Sequence, residues 1–155
     1  MNNKKIAVFA GTFDPITTGH EDILIRALPL FDKIIIAIGV NIEKKTMFPL
    51  DKRIKWIKDT FAKEDKIEVD TYSCLLVDYC KEKNAKYILR GIRNNKDFEY
   101  EENIAQINKE LNKEIETIFF LTNKEYSSIS SSAIREIVSF KGDVKKFIPK
   151  QVNLL

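Results

Sequence analysis

The side chains best suited to chemistry in this sequence are cations and hydroxyl donors that follow apolar runs. They are His20, Lys44 or Lys45, Arg90, Arg93 and the cluster Ser130-Ser131-Ser132. Groups of this kind position anions and neutralise the charge that grows on phosphate oxygens during phosphoryl or nucleotidyl transfer. Such a reaction needs no nucleophile from the protein. The set therefore predicts a site for phosphorylated substrates.

The first informative stretch is residues 11–20, Gly-Thr-Phe-Asp-Pro-Ile-Thr-Thr-Gly-His. An apolar run at 6–10 precedes it and a helical pattern at 22–28 follows it. This order predicts a buried strand, a loop bounded by glycines and a helix start. Open α/β sheets bind nucleotides at such a place.

A helix start inside this stretch is predicted from Thr18 and Glu21, which have the spacing of a capping box. This cap would place Gly19 and His20 in the first helical turn. Because a helix N-terminus offers unpaired N–H groups and partial positive charge, His20 would lie beside a phosphate site. The alternative is a simple turn with an incidental surface histidine, although His20 is the only histidine in the chain.

The second stretch is Arg90-Gly91-Ile92-Arg93, followed by Asp97, Glu99 and Glu101. Two arginines that flank a glycine after a strand can grip two phosphates with their planar guanidinium groups, which lysine does less well. The alternative is a solvated loop in which the arginines pair with the glutamates.

The third stretch is residues 126–135, Tyr-Ser-Ser-Ile-Ser-Ser-Ser-Ala-Ile-Arg. Serines before a helical apolar pattern normally cap the helix. Here the same helix start would also offer N–H and O–H donors to a polyphosphate.

Several common catalytic signatures are missing from the sequence. It has neither G-x-x-x-x-G-K-[ST] nor G-x-G-x-x-G, which argues against a P-loop kinase and a dinucleotide dehydrogenase. It has no nucleophile elbow, and one histidine without a neighbouring nucleophile argues against Ser–His or Cys–His catalysis.

Five apolar runs alternate with helical patterns and predict a doubly wound, five-stranded parallel α/β sheet in a single domain, residues 1–155. The predicted strands are 6–10, 33–40, 66–71, 87–89 and 116–121. Asp97 is expected to cap a helix that runs to about Asn112, with Phe98, Ile104, Ile107 and Leu111 in the core. Gly11, Gly39 and Gly91 fall at strand ends, where they let the backbone approach a ligand.

Composition is that of an ordinary globular protein, with 44% hydrophobic and 32% charged residues. The formal net charge is only +3, so no nucleic-acid partner is expected. Cys74 and Cys80 predict neither a zinc site nor a disulfide framework. No run approaches the ~20 apolar residues of a membrane span, and we expect a cytoplasmic protein without a membrane partner.

All three stretches resemble one family. Thr17-Thr18-Gly19-His20 resembles the T/H-x-G-H signature of the nucleotidyltransferase superfamily. Residues 90–101 resemble the R-G-[LIV]-R-x-x-x-D-[FY]-E-x-E motif of phosphopantetheine adenylyltransferases, and residues 129–135 resemble the superfamily motif I-S-S-[ST]-x-x-[RK]. The resemblance extends from about Ile6 to Pro149 and implies a Rossmann-like nucleotidyltransferase fold.

The resemblance implies transfer of AMP from ATP to 4′-phosphopantetheine, giving dephospho-coenzyme A and pyrophosphate in the penultimate step of coenzyme A biosynthesis. Magnesium would arrive bound to ATP, with no metal site in the protein. The family also implies a homohexamer and makes feedback by coenzyme A plausible. Cys74 stands where relatives often have glycine or aspartate, next to the pantetheine arm.

The family's site residues are assigned to this sequence by matching motifs. The catalytic residues would be His20, which steadies the α-phosphate, together with Lys44 and Arg93. The phosphopantetheine site would contain Thr12, Lys44, Leu76 and Arg90. The ATP site would contain Thr12, Phe13, His20, Gly91, Ile92, Arg93, Glu101, Tyr126, Ser127, Ser128, Ile129, Ser130, Ser131 and Ser132.

Two other functions are compatible with parts of the pattern. Another nucleotidyltransferase, acting on nicotinate mononucleotide or glycerol phosphate, usually has histidine where Thr17 stands and lacks the long arginine segment. A nucleotide-binding sensor without turnover would not need His20, Lys44, Arg90 and Arg93 together.

Overall fold

A computed structural model describes residues 4–154. Its five strands are parallel and lie in the order β3-β2-β1-β4-β5. They are β1 (Ile6–Gly11), β2 (Lys33–Gly39), β3 (Ile67–Tyr72), β4 (Tyr87–Ile92) and β5 (Glu116–Leu121). The α-helices are α1 (Thr18–Ala27), α2 (Leu50–Thr60), α3 (Leu76–Glu82), α4 (Asn95–Leu111) and α5 (Ser131–Ser139), and short 3-10 helices cover Leu28–Leu30 and Lys124–Tyr126. The predicted α/β fold class is confirmed.

Strands β1 and β2 are buried on both faces, as their unbroken apolar runs predicted. In β1, Ala7 and Phe9 face a core that includes residues of α1, α2 and α5. Val8 and Ala10 point to the opposite face and pack with residues of α3. Helices therefore cover both faces of the sheet.

The sheet opens between β1 and β4. These strands pair from Ala7–Tyr87 to Phe9–Leu89, whereas β4 stays paired with β5 as far as Ile92–Leu121. The strand predicted at 87–89 is therefore longer, and it includes Arg90 and Gly91. A crevice of this kind, at the carboxyl ends of two strands where the connections change direction, is where doubly wound sheets bind ligands.

Helix α1 is capped by Thr17, so the prediction that Thr18 is the cap is wrong by one residue. The Thr17 hydroxyl accepts from the His20 amide at 3.2 Å, and the His20 Nδ1 accepts from the Thr17 amide at 3.1 Å. Thr18 is already helical, and its amide donates to the carbonyl oxygen of Phe147. That long-range bond satisfies the Thr18 amide, and it is invisible in the local sequence. His20 still lies in the first turn, as predicted.

The prediction of which α4 residues face the core is also wrong. Phe98, Ile107 and Leu111 are exposed by 44%, 59% and 57%, and Ile104 is partly buried. The buried residue of this helix is Glu101. A cavity lined by Ile104 lies between α4 and the sheet, so the helix stands away from the core.

The cap of α4 is Asn94, and not Asp97 as predicted. The Asn94 side chain accepts from the Asp97 amide at 3.0 Å, while the Asp97 carboxylate accepts from the Arg93 amide and side chain. The acidic side chain therefore orients an arginine at the predicted site.

After α5, the chain from Gly142 to residue 154 packs back on the core through Val144, Ile148 and Val152. Among the helices formed by residues 4–154, none has the length and apolar character needed to cross a membrane.

Candidate active site

Two adjoining cavities lie at the carboxyl edge of the sheet. The larger has a volume of about 950 Å³ and the smaller about 370 Å³. They share lining residues from β1, the following loop, β4 and α4, namely Ala10, Gly11, Thr12, Lys44, Arg90 and Glu101. A pair of joined cavities suits two substrates that react at the junction.

The larger cavity lies between α4 and the sheet. Its walls include Ile88 and Thr117 from the strands and Ile104, Ala105 and Asn108 from α4. The segment that precedes α3 closes another side with Tyr72, Ser73, Cys74 and Leu76. Of the residues assigned to the phosphopantetheine site, Leu76 lines this cavity alone, whereas Thr12, Lys44 and Arg90 lie at the junction.

The smaller cavity brings most of the residues assigned to ATP together. From that set it is lined by Thr12, Phe13, His20, Gly91, Arg93, Glu101, Tyr126, Ile129, Ser130, Ser131 and Ser132. Ile92, Ser127 and Ser128 are not part of its lining. Ile92 is buried at the end of β4, and the Ser127 hydroxyl donates to the Lys124 carbonyl.

His20 is fixed as a neutral hydrogen-bond donor. Its ring packs edge-on against Phe9 and Phe13, with centroid distances of 6.0 and 5.1 Å. Burial lowers the pKa of the imidazole to about 4, and the charges of Arg90 and Arg93 contribute to this shift. Because Nδ1 accepts from the Thr17 amide, the proton of the neutral ring is on Nε2.

Arg90 bridges the opening of the sheet. Its Nε and Nη2 atoms donate to the two carboxylate oxygens of Glu101 at 2.8 and 2.5 Å, and Nη1 donates to the Ala10 carbonyl at 2.7 Å. Burial disfavours its charge, but the bonds to Glu101 raise the pKa of Arg90 above its ordinary value. A guanidinium has five N–H donors, so two remain after these three bonds.

Arg93 is oriented by the start of α4. Its Nε donates to Asp97 at 2.9 Å, and Nη1 reaches the Ile129 carbonyl at 3.4 Å. Although partial burial opposes the effect, the bonds from Arg93 hold the pKa of Asp97 below its ordinary value. The arginine therefore connects α4 with the segment that leads into α5.

Lys44 reaches the junction from an exposed loop. Its Nζ donates to the Thr12 hydroxyl at 2.9 Å. The sequence left Lys44 and Lys45 as alternatives; Lys45 lines the smaller cavity, whereas Lys44 lines both. Lys44 is thus the lysine at the junction.

The start of α5 supplies donors to the smaller cavity. Ser130 caps the helix by accepting from the Ala133 amide at 3.1 Å, and the Ser131 hydroxyl donates to the Pro15 carbonyl at 2.8 Å. Arg135 donates to the Asp14 carbonyl and to the Ser132 hydroxyl. Arg135 also lines the cavity, although sequence reasoning did not assign it to the site.

Comparisons with known proteins show the family of this chain. The cytidylyltransferase-like family model matches residues 8–137. The chain is 49% identical to the phosphopantetheine adenylyltransferase of Cytophaga hutchinsonii over 96% of this chain and 99% of that protein. Identity to the Flavobacterium johnsoniae protein of the same name is 50%, over 96% of this chain and 97% of that one. The chain belongs to the phosphopantetheine adenylyltransferase family.

Solved structures show the fold in a more distant enzyme. A bifunctional NMN adenylyltransferase/ADP ribose pyrophosphatase from Francisella tularensis superposes with a TM-score of 0.72 at 19% identity, over 94% of this chain and 45% of that longer one. A second structure of that enzyme is complexed with AMP and a manganese ion, with a TM-score of 0.71. The family resemblance found in the sequence is confirmed.

Sequence reasoning missed two buried charged residues: Asp14, which lines the smaller cavity, and Arg53, which lines neither cavity. Asp14 is 3% exposed and accepts from the amides of Met47 and Phe48, and Arg53 is 5% exposed and donates to backbone carbonyls. Asp14 stands inside the first motif, which was a usable signal. Arg53 falls in an ordinary amphipathic helix pattern, which offered none.

We expect His20 to remain neutral down to mildly acidic pH. Its ring C–H resonances are identifiable by NMR without further assignment, because the chain has one histidine. They should show a midpoint near 4 rather than near the ordinary value of 6.5. Because the unfolded chain then binds this proton more readily, His20 should lower stability as pH falls from 6.5 towards 4. A midpoint of 6 or above would contradict the partly buried, neutral ring.

Proposed function

We propose that this enzyme transfers the adenylyl group of ATP to 4′-phosphopantetheine, giving dephospho-coenzyme A and pyrophosphate. The observation that carries the proposal is the pair of joined cavities, whose junction contains Thr12, Lys44 and Arg90. The relatives named phosphopantetheine adenylyltransferase, at 49% and 50% identity over nearly full length, support the same reaction.

In this reaction the two substrates occupy different cavities. The triphosphate lies along the start of α5 and Arg93, where hydroxyl, N–H and guanidinium donors line the smaller cavity. The pantetheine arm lies in the larger cavity against Leu76, and its phosphate reaches the junction. This arrangement brings the attacking phosphate oxygen to the α-phosphorus.

The transfer is a direct displacement. A phosphate oxygen of phosphopantetheine forms a bond to the α-phosphorus while the bond from that phosphorus to the bridging oxygen breaks, and pyrophosphate leaves. His20 donates its Nε2–H to an α-phosphate oxygen, because Thr17 occupies Nδ1. Lys44 and Thr12, joined at 2.9 Å, orient the attacking phosphate and offset the growing charge.

We propose that magnesium enters as part of the ATP substrate. Within residues 4–154, no three His, Cys, Asp or Glu side chains are grouped as a metal site. Mg²⁺ usually keeps several waters and binds through substrate phosphates, so phosphate oxygens would be its main ligands here. When bound with ATP, magnesium would supply positive charge that offsets the charge on the leaving pyrophosphate.

The acceptor is tested by measuring pyrophosphate release from MgATP. Release should depend on 4′-phosphopantetheine, with dephospho-coenzyme A formed in equal amount. Nicotinamide mononucleotide, nicotinate mononucleotide, and glycerol phosphate with CTP should give no product above the blank. Turnover with one of these three acceptors but not with 4′-phosphopantetheine would contradict the proposal. Nucleotide binding without turnover of any acceptor would favour a sensor.

We propose that coenzyme A inhibits the enzyme by occupying both cavities, since it carries an adenylyl and a pantetheine part. Adding coenzyme A to the acceptor assay tests this proposal, and unchanged turnover would contradict it.

We also propose a cytoplasmic location, which fits the free thiols of Cys74 and Cys80. Fractionation of source cells measures the location.

His20→Ala should lower kcat by at least about 100-fold, a loss of about 3 kcal/mol of transition-state stabilisation. The Km for ATP should change little, because the start of α5 and Arg93 are untouched. Steady-state kinetics with both substrates varied measures the two effects. A variant with normal kcat and a raised Km for ATP would assign His20 to ground-state binding instead.

We propose that the enzyme is a homohexamer and that the outer face of α4 forms a subunit contact. That face exposes Ile107 and Leu111 by more than half, and exposed apolar patches mark protein contacts. Light scattering should give the mass of six chains of 18.0 kDa. Ile107→Glu should lower this mass, whereas Ile25→Glu, at an isoleucine of α1 exposed by 51%, should leave it unchanged. A single-chain mass for the native protein would contradict the proposal.

A further inference from the structure

Two loops meet where the cavities join. The first, residues 12–16, follows β1 and carries Thr12, and we call it the threonine loop. The second, residues 41–48, lies between β2 and α2 and carries Lys44, and we call it the lysine loop. The Lys44 Nζ and the Thr12 hydroxyl are joined across them at 2.9 Å.

Arg53 of α2 ties these loops together from behind. Its Nη1 donates to the Thr12 carbonyl at 2.7 Å, and its Nε donates to the Phe48 carbonyl at 3.0 Å. The residue is 5% exposed and is not among the residues that line either cavity. Its guanidinium therefore touches the backbone of both loops and neither proposed substrate.

Asp14 makes a second connection between the same loops. Its two carboxylate oxygens accept from the Met47 amide at 2.8 Å and from the Phe48 amide at 2.9 Å. Burial disfavours the charge of Arg53 and lowers its pKa. The nearby negative charge of Asp14 partly offsets this effect, because it raises the pKa of Arg53. The two buried charges thus compensate each other while each one bonds to backbone.

An arginine suits this place better than a lysine. Its planar fork directs several donors at fixed angles, so Nη1 and Nε reach two carbonyl oxygens on different loops at once. A lysine would supply one ammonium group on a flexible stem. Because α2 is a rigid element, the arginine fixes both loops relative to the sheet.

Given the proposed transfer reaction, we propose that Arg53 is a positioning residue that sets the distance between Thr12 and Lys44. It acts through the two loop backbones and makes no contact with substrate. Loss of the fork would leave Lys44 chemically intact but misplaced, and a displacement of about 1 Å at a reacting centre costs roughly 100-fold in rate.

Steady-state kinetics of Arg53→Lys and Arg53→Met test the proposal. Both variants should lose kcat, by about 10-fold and about 100-fold respectively, while the Km for ATP stays within about threefold of wild type. Lys52→Met, at an exposed residue of the same helix, is the matched control and should behave as wild type. Normal kcat in Arg53→Lys, or a rise in the Km for ATP alone, would overturn the proposal.

A double-mutant cycle separates positioning from general loss of stability. If Arg53 acts through Lys44, then Arg53→Lys combined with Lys44→Ala should have nearly the same kcat as Lys44→Ala alone, within about twofold. Arg53→Lys combined with Lys52→Met, at an exposed residue that lines neither cavity, should show the full loss. Independent, multiplicative losses in the first pair would assign Arg53 a merely structural role.

Hydrogen exchange gives a readout that does not need activity. In Arg53→Lys the amides of the lysine loop should exchange at least several-fold faster than in wild type, while amides of β1 and β2 keep their protection. Unchanged exchange in the lysine loop would overturn the proposal even if the chain had no transferase activity. Absence of turnover in wild type would contradict the proposed function, and exchange would still decide the role of Arg53.

Discussion

Arg90 holds together the place where the sheet opens, and the site depends on this one side chain. It lies on β4 just beyond the last position paired with β1, and its Nη1 donates to the Ala10 carbonyl on β1. Its Nε and Nη2 bond to Glu101 of α4. Three elements therefore converge on one guanidinium. Both cavities are lined by Arg90 and Glu101, so their junction is a consequence of this convergence.

The site combines three fixed positive charges with one neutral hydrogen-bond donor. Arg90, Arg93 and Lys44 supply positive charge. Burial and the two arginines keep His20 neutral in the free protein. A neutral imidazole adds a directional hydrogen bond without adding a fourth cation to the same cleft. Bound phosphates would oppose the arginines and raise the pKa of His20, because a nearby anion favours the charged ring.

The sequence predicted the sheet well because its strands have unusually clear patterns. The run Ile34–Ile38 is apolar throughout, and a short run of this kind is typical of a strand that is buried on both faces. The bounds of β4 were predicted less well, since Arg90 and Gly91 interrupt the apolar run although they remain paired with β5. Periodicity records burial, and Arg90 and Gly91, which line the polar crevice, are only partly buried.

The caps and the buried charges show what local patterns omit. Thr17 and Thr18 are adjacent and of the same residue type, so local sequence does not show which one caps the helix. The Thr18 amide bonds to the carbonyl of Phe147, a residue more than a hundred positions away.

The three motifs predicted most of the residues that line the smaller cavity. Arg53 escaped notice because a single arginine in a helix is normally solvated, and its carbonyl partners belong to loops that only the fold brings together.

Helix α4 shows why burial in one chain cannot be inferred from an apolar pattern alone. Ile104, Ala105 and Asn108 of this helix line the larger cavity, whereas Ile107 and Leu111 are exposed. Ile104, Ile107 and Leu111 follow one another at helical spacing and form one stripe, of which Ile104 lines the cavity while the other two are exposed, so a pattern analysis assigns the whole stripe to the core. Under the proposed assembly, a neighbouring chain would contact Ile107 and Leu111 on the helix that lines the larger cavity. The shape of that cavity and the contact between subunits would then depend on the position of a single helix.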